Sequence, residues 1–179
     1  DLFPIEDGHA QERSGLDAVI ETIEAGDLWI ADRNFCTLKF LYAIARKCGR
    51  LVIRLHDKMK GEQLGSRRYC GKTASGRVYE YQLKLTEYEG HTLIVRCIEL
   101  ELYNPTRDDE RTLRILTNLT EDEADAMQVA ETYRGRWRIE TAFQKLTTTL
   151  KCEVNTLCYP KAAIFAFSMA CLAYNAVSL

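Results

Sequence analysis

Residues 28–55 read LWIADRNFCTLKFLYAIARKCGRLVIRL, and the order of patterns inside this stretch decides the fold. Leu28 to Ala31 (LWIA) is a short unbroken apolar run, which suits a buried central strand. Asp32 ends it. From about Cys36 to Cys48 the apolar residues Leu38, Leu41, Tyr42 and Ala45 recur at helical spacing, and Gly49 stops that helix. Leu51 to Leu55 (LVIRL) is a second strand. Upstream, Leu16, Val19, Ile20 and Ile23 mark another helix, which Gly26 ends. Residues 15–55 therefore alternate helix, strand, helix, strand, the pattern of an α/β layer with parallel strands.

Beyond residue 56 the character changes. Residues 57–77 are rich in Lys, Arg, Gly and Ser. Val78 to Leu85 and Leu93 to Leu102 then alternate as antiparallel strands joined through Glu89-Gly90, and Leu113 to Thr117 is one more strand. The expected organisation is a first core segment (1–56), a β-rich insertion (57–111) and a second core segment (112–179). Helical pattern returns at Thr120, where TEDEADA reads as an N-cap followed by an acidic first turn. One long helix, or two, carries the chain through Glu140 to about Leu150. Pro160 opens a last apolar helix, AAIFAFSMACLAYNAVSL. That run is short for a membrane span and contains Ser168, Asn175 and Ser178, so it reads as a buried helix of a soluble core.

The 179 residues are 46% apolar and 28% charged, as in ordinary globular proteins, with a net charge of -2. Bulk charge does not announce a nucleic-acid binder, so any DNA-contacting bases must be clustered. Seven cysteines occur, at 36, 48, 70, 97, 152, 158 and 171, without a CxxC pair. They read as reduced, core-filling thiols of a cytosolic protein rather than a zinc site or disulfide framework. No signal peptide opens the chain. DLFPI reads as the tail of a strand, and both ends read as cut, so the chain is expected to be a fragment of a longer protein.

Two acids stand out. Asp32 lies directly after an apolar strand, beyond whose carboxyl end active residues of open α/β sheets gather. It is equally suited to capping the following helix. Glu140 lies far downstream in YRGRWRIETAFQKL (133–146), where Tyr133, Arg136 and Glu140 are three and four residues apart and share a face on a continuous helix. Arg136 and Glu140 also fit an ordinary surface pair, although Arg before Glu is the weaker order. Trp137 reads as core at helical spacing. Two carboxylates brought together suit magnesium or manganese, and two-metal phosphoryl transfer holds its ions roughly 3.5–4 Å apart with such ligands. A nearby arginine would neutralise charge on the transferring phosphate. Arg67, Arg68 and Lys72 with Tyr69 mix basic and aromatic residues, which suits a strand or single-strand contact, although such a cluster is more often a solvated loop. His9 and Glu12 read as a polar helix start. Asn34 and Phe35 are expected to fix the turn after Asp32.

ADRNF, followed after the β-rich stretch by YRGRWRIETAF, resembles the insertion-sequence transposases of the DDE type, in the insertion sequence 4 group. EDGHAQERS and TTTLKCEVNTLCYPKAAIFAF resemble members of the same group, so the resemblance covers essentially the whole chain. The group's C-terminal signature is Tyr, two residues, Arg, three residues, Glu, six residues, Lys. Tyr133, Arg136 and Glu140 keep that spacing, and Thr147 stands in the lysine position with Lys145 and Lys151 nearby. The resemblance implies an α/β fold: an RNase H-like catalytic core interrupted by a β-rich insertion, with C-terminal helices. It implies metal-dependent strand cleavage and strand transfer, with Asp32 and Glu140 as catalytic residues and ligands of Mg2+ or Mn2+. The first Asp of the triad is expected upstream of Asp1, so this fragment alone is expected to be inactive. Tyr133, Arg136 and Lys145 would contact DNA. The implied partners are transposon-end and target DNA and a second copy in a homodimeric synaptic complex, with no membrane, in a bacterial cytoplasm close to the nucleoid. The alternative is a truncated or degenerate copy that binds DNA or dimerises without cutting.

Overall fold

The computed structural model describes residues 15–106, 109–148 and 159–178. The readings made for DLFPI, His9, Glu12, Lys151, Cys152 and Cys158 lie outside these residues. Leu16–Gly135 forms one compact unit, and the described chain from Arg136 onward belongs to another.

The first unit is built on one mixed six-stranded sheet, the expected α/β, RNase H-like arrangement. Its strands are β1 (Leu28–Ala31), β2 (Arg50–Arg54), β3 (Gly61–Lys72), β4 (Gly76–Leu85), β5 (Ile94–Leu102) and β6 (Thr112–Thr117), in the order β1-β2-β6-β5-β4-β3. β1 and β2 pair in parallel, as the helix between them requires, and every other pair is antiparallel. The strands of residues 57–111 thus continue the same sheet through β6.

Helices α1 (Leu16–Glu21) and α2 (Leu38–Arg46) cover one face. There Phe40, Leu41 and Ile44 pack on Leu51, Ile53, Leu83, Val95 and Leu116. Helix α3 (Ala126–Gly135) covers the other face, where Val129, Ala130 and Tyr133 pack on Val52, Val78, Ile98, Leu113 and Ile115. Strand periodicity produces this division, because successive side chains point to opposite faces. The alternation in VYEYQLKL and LIVRCIELEL is therefore two half-cores interleaved along one strand.

Three readings change. LWIA was expected as a fully buried central strand, but β1 is at the margin of the sheet among the described residues, and Leu28 and Ile30 are 46% and 38% exposed. Only Trp29 and Ala31 face the α1–α2 layer. The Lys/Arg/Gly/Ser-rich segment contains β3, a long strand on the opposite margin, whose pairing with β4 slips between Leu64 and Arg68 and again between Tyr69 and Gly71. Its exposure removes the apolar alternation by which strands are recognised. The N-cap expected at Thr120 falls at Asp125. Thr120 and Glu123 bond reciprocally to close a preceding turn, whereas Asp125 and Gln128 form the capping box of α3, exchanging side-chain bonds to backbone N–H groups at 2.8 Å each way.

In the second unit, helices α4 (Trp137–Thr148) and α5 (Pro160–Ser178) pack through stacked Phe143 and Phe167 rings, with Leu146 and Ala170 buried. Pro160 opens α5 as expected. The helix is nevertheless not the buried one that its sequence suggests: Phe165, Leu172 and Val177 are each about two-thirds exposed or more (69%, 67% and 74%). No helix among the described residues is long and apolar enough to cross a membrane.

Candidate active site

The carboxyl edge of the parallel pair positions the first candidate. Ala31 is the register partner of Ile53; Asp32 follows it just past the end of β1, and Arg54 follows Ile53 as the last residue of β2. Asp32 keeps an extended backbone (φ -77°, ψ 169°), and its carbonyl accepts the Phe35 N–H at 3.0 Å to start a 3-10 turn over Arg33–Phe35. Phe35 anchors that turn against Phe40 in the first core cluster, as its position suggested.

The capping reading of Asp32 does not hold. Its side chain makes no capping bond. Helix α2 is capped by Thr37, whose hydroxyl accepts the Phe40 N–H at 3.2 Å. Asp32 Oδ1 is instead buried and has no hydrogen-bond partner. A buried carboxylate oxygen without a donor is costly unless something else satisfies it. A hard cation does so, and carboxylate oxygen is the ligand type that magnesium and manganese prefer, so the residue fits a metal ligand. No cluster of three or more His, Cys, Asp or Glu side chains that could hold a metal occurs among the described residues.

Beside Asp32 is an ion triad that sequence reading missed. Arg33 Nη1 donates to Glu110 Oε1 at 2.7 Å, and Arg54 Nη2 donates to Glu110 Oε2. Glu110 sits in the loop between β5 and β6, which is closed by two bonds to Thr106: Thr106 N–H to the Glu110 carbonyl at 2.9 Å and Glu110 N–H to Thr106 Oγ1 at 3.2 Å. Arg54 inside the otherwise apolar LVIRL was the available signal. Nothing local marks Glu110, because its partners are 56 and 77 residues away.

The remaining candidates fall on helices. The face-sharing expected of one continuous helix is interrupted: α3 ends at Gly135, α4 starts at Trp137, and Arg136 lies between. Tyr133 is 3% exposed and packed in the second core cluster. Glu140 is in the first half of α4, in a different compact unit from Asp32. At 3.6 residues per turn, position 147 comes within about 20° of position 140 around the helix, whereas position 145 is about 140° away. Thr147 therefore does occupy the face of the missing lysine. Its hydroxyl turns back to the Phe143 and Gln144 carbonyls, both at 3.1 Å. Lys145 is exposed on another side of the last turn.

The basic cluster of residues 67–72 is a strand engaged with its own fold, not a solvated loop. Arg67 bonds Glu101 at 2.7 Å and Glu99 at 3.0 Å, with its guanidinium 3.5 Å from the Tyr79 ring centroid. Arg68 pairs with Glu80 and Glu121. Glu80 also takes a 2.5 Å bond from Arg96, and Arg96 Nη1 donates to the Leu119 and Ala124 carbonyls at 2.9 and 2.7 Å. Burial pushes the Glu80 carboxyl up, but the bonds from Arg96 and Arg68 outweigh it and hold the group below the usual carboxylate range.

The chain is similar in sequence to known proteins. The family described as the transposase DDE domain matches residues 3–176. InsL of Escherichia coli K12, described as a transposase for insertion sequence element IS186A, is 47% identical over 55 residues, which is 29% of this chain and 15% of that protein. The Escherichia coli transposase for insertion sequence element IS421 matches to the same extent. The aligned stretch thus spans well under two thirds of these relatives' length.

Proposed function

The chain belongs to the transposase DDE domain family, and from that premise we propose that it contributes the strand-cleaving and strand-transferring site of an insertion-sequence transposase. The observation that carries this reading is Asp32: a carboxylate at the carboxyl edge of a parallel strand pair, capping nothing, with a buried oxygen that no donor satisfies. In this reading Asp32 and Glu140 hold Mg2+ or Mn2+, together with a further acid upstream of Asp1. Bound there, the cation would activate the attacking oxygen and polarise the phosphate. The chain's own residues then position the DNA. Arg136 neutralises charge on the scissile phosphate. Lys145 contacts the backbone from the last turn of α4, and Tyr133, with its ring in the core, fixes the end of α3 from which the chain runs to Arg136. The spacing of Tyr133, Arg136 and Glu140 supports placement in the insertion sequence 4 group. Transposon-end and target DNA are the proposed partners, with a homodimer on paired ends, in the bacterial cytoplasm.

The test is cleavage of transposon-end DNA by the intact protein. Glu140→Ala and Asp32→Asn should each abolish cleavage while end binding persists in a mobility-shift assay. Cleavage at the wild-type rate in either variant overturns the assignment.

A second reading has its own support in Thr147, whose hydroxyl bonds back to its own helix where the family signature places a lysine. A copy that binds DNA without cutting would show end binding and no cleavage in wild type. Thr147→Lys would then raise DNA affinity without creating turnover.

A further inference from the structure

Asp32 has arginines at two neighbouring positions: Arg33 next in the chain and Arg54, which follows the register partner of Ala31 on β2. Alternation along β2 turns Arg54 to the face opposite Ile53, and Asp32 lies at the adjoining end of β1. A guanidinium within reach of a carboxylate ordinarily pairs with it, and a paired carboxylate is a poor ligand for a cation. Both instead bond Glu110, one to each of its oxygens. Glu110 is held for that task by its reciprocal bonds with Thr106. Arg54 is 17% exposed and Glu110 26%, so solvent competes only weakly for the bond between them.

We propose that Glu110 is a positioning residue that keeps Arg33 and Arg54 off Asp32, leaving the Asp32 carboxylate available to a divalent cation. The role rests on the reading of Asp32 as a metal ligand and extends it to a residue from the β-rich part of the chain. Without Glu110, one arginine turns to Asp32, the carboxylate is neutralised, and metal must displace a guanidinium before it binds. Glu110 also ties the loop before β6 to the ends of β1 and β2, so displacement of that loop is felt at Asp32.

The experiment measures Mn2+ binding to the intact protein by the loss of the free-ion electron paramagnetic resonance signal, with DNA cleavage followed against Mn2+ concentration. Glu110→Gln should weaken Mn2+ binding by about 10- to 100-fold, the scale seen when outer-shell partners of a metal site are removed. Cleavage should recover toward the wild-type rate at saturating Mn2+, a split that general destabilisation would not produce. Glu110→Asp should retain most of the affinity. In Glu110→Gln/Arg54→Met, which removes a released arginine along with its unpaired charge, affinity should return toward wild type. This double variant also keeps the test valid if the single one folds poorly, as checked by circular dichroism. Wild-type Mn2+ affinity in folded Glu110→Gln, or no recovery in the double variant, overturns the role. Asp32→Asn separates the two failures: if it binds Mn2+ and cleaves as wild type, the metal reading of Asp32 falls, whereas if it loses Mn2+ while Glu110→Gln does not, only the role of Glu110 falls.

Discussion

Replacing Arg96 with methionine should destabilise the sheet unit by about 3 kcal/mol at neutral pH, at the lower end of the cost of breaking a buried ion pair. Methionine keeps the unbranched stem and removes the guanidinium. Three bonds disappear with it: the 2.5 Å bond to Glu80 and those to the Leu119 and Ala124 carbonyls. The side chains of Arg96 and Glu80 are only 12% and 10% exposed, so water replaces these bonds poorly. Glu80 retains Arg68, which is 56% exposed and screened, and this places the estimate low in the range. For a chain of this size the cost corresponds to a fall in Tm of roughly 6–12 °C. The pH dependence follows from Glu80, whose carboxyl is held below its unfolded value in the fold. Such a group contributes fully above the unfolded pKa, and the contribution disappears as pH falls through the folded one. The gap between wild type and Arg96→Met should therefore narrow below about pH 4, leaving ~1–2 kcal/mol from the two carbonyls. Urea unfolding followed by circular dichroism across pH 3–8 measures this. A cost under ~1 kcal/mol at pH 7, or a gap that is constant with pH, would refute the account of Arg96 and Glu80 as a coupled buried pair.

Three further outcomes can be checked. Thr37→Ala should cost about 1 kcal/mol in urea melts by uncapping α2, whereas Asp32→Asn should cost nothing measurable, because Asp32 caps no helix. Gly76→Ala should destabilise by about 1–3 kcal/mol, the usual cost of overpacking, since an added Cβ would collide with the Glu101 carbonyl on β5; faster amide exchange at the start of β4 is the readout. Burial pushes the Cys97 thiol up to about 12, while Cys48 is exposed. Iodoacetamide at pH 8 should therefore label Cys48 in the native protein and reach Cys97 only after unfolding, as read by mass spectrometry.

The sequence was most legible where side chains are buried on a regular period. LWIA, LVIRL, VYEYQLKL and LIVRCIELEL all become strands within one or two residues of the boundaries read from their pattern. β3 was hidden because its exposed margin carries Gly, Ser and Arg instead of an apolar alternation, and its pairing depends on β4 rather than on its own pattern. The capping role of Thr37 was hidden by a more conspicuous Asp32 five positions upstream. At the candidate site, the acids were visible because each stands against an apolar or helical background. The cations that govern one of them were not, since the triad of Arg33, Arg54 and Glu110 exists only once the loop before β6 returns to the end of β2. The break at Arg136 was equally silent, because Gly135 is a weak stop inside a strongly periodic run.

The ragged pairing of β3 has a consequence for the molecule among its own copies. A twelve-residue strand at a sheet margin, where β3 lies among the described residues, exposes a row of backbone amides and carbonyls to any neighbouring chain, the usual route to fibrillar stacking. Here the row is broken twice, with Gly65 and Gly71 in positive-φ conformations that turn the strand out of register. At the first break, Arg67 and Arg68 reach back over Tyr79 and Glu80 and surround the margin with charge. A second strand approaching there would find at most a few consecutive partners before its hydrogen bonds fell out of phase. This side of the sheet is thus a surface ill-suited to indiscriminate self-association.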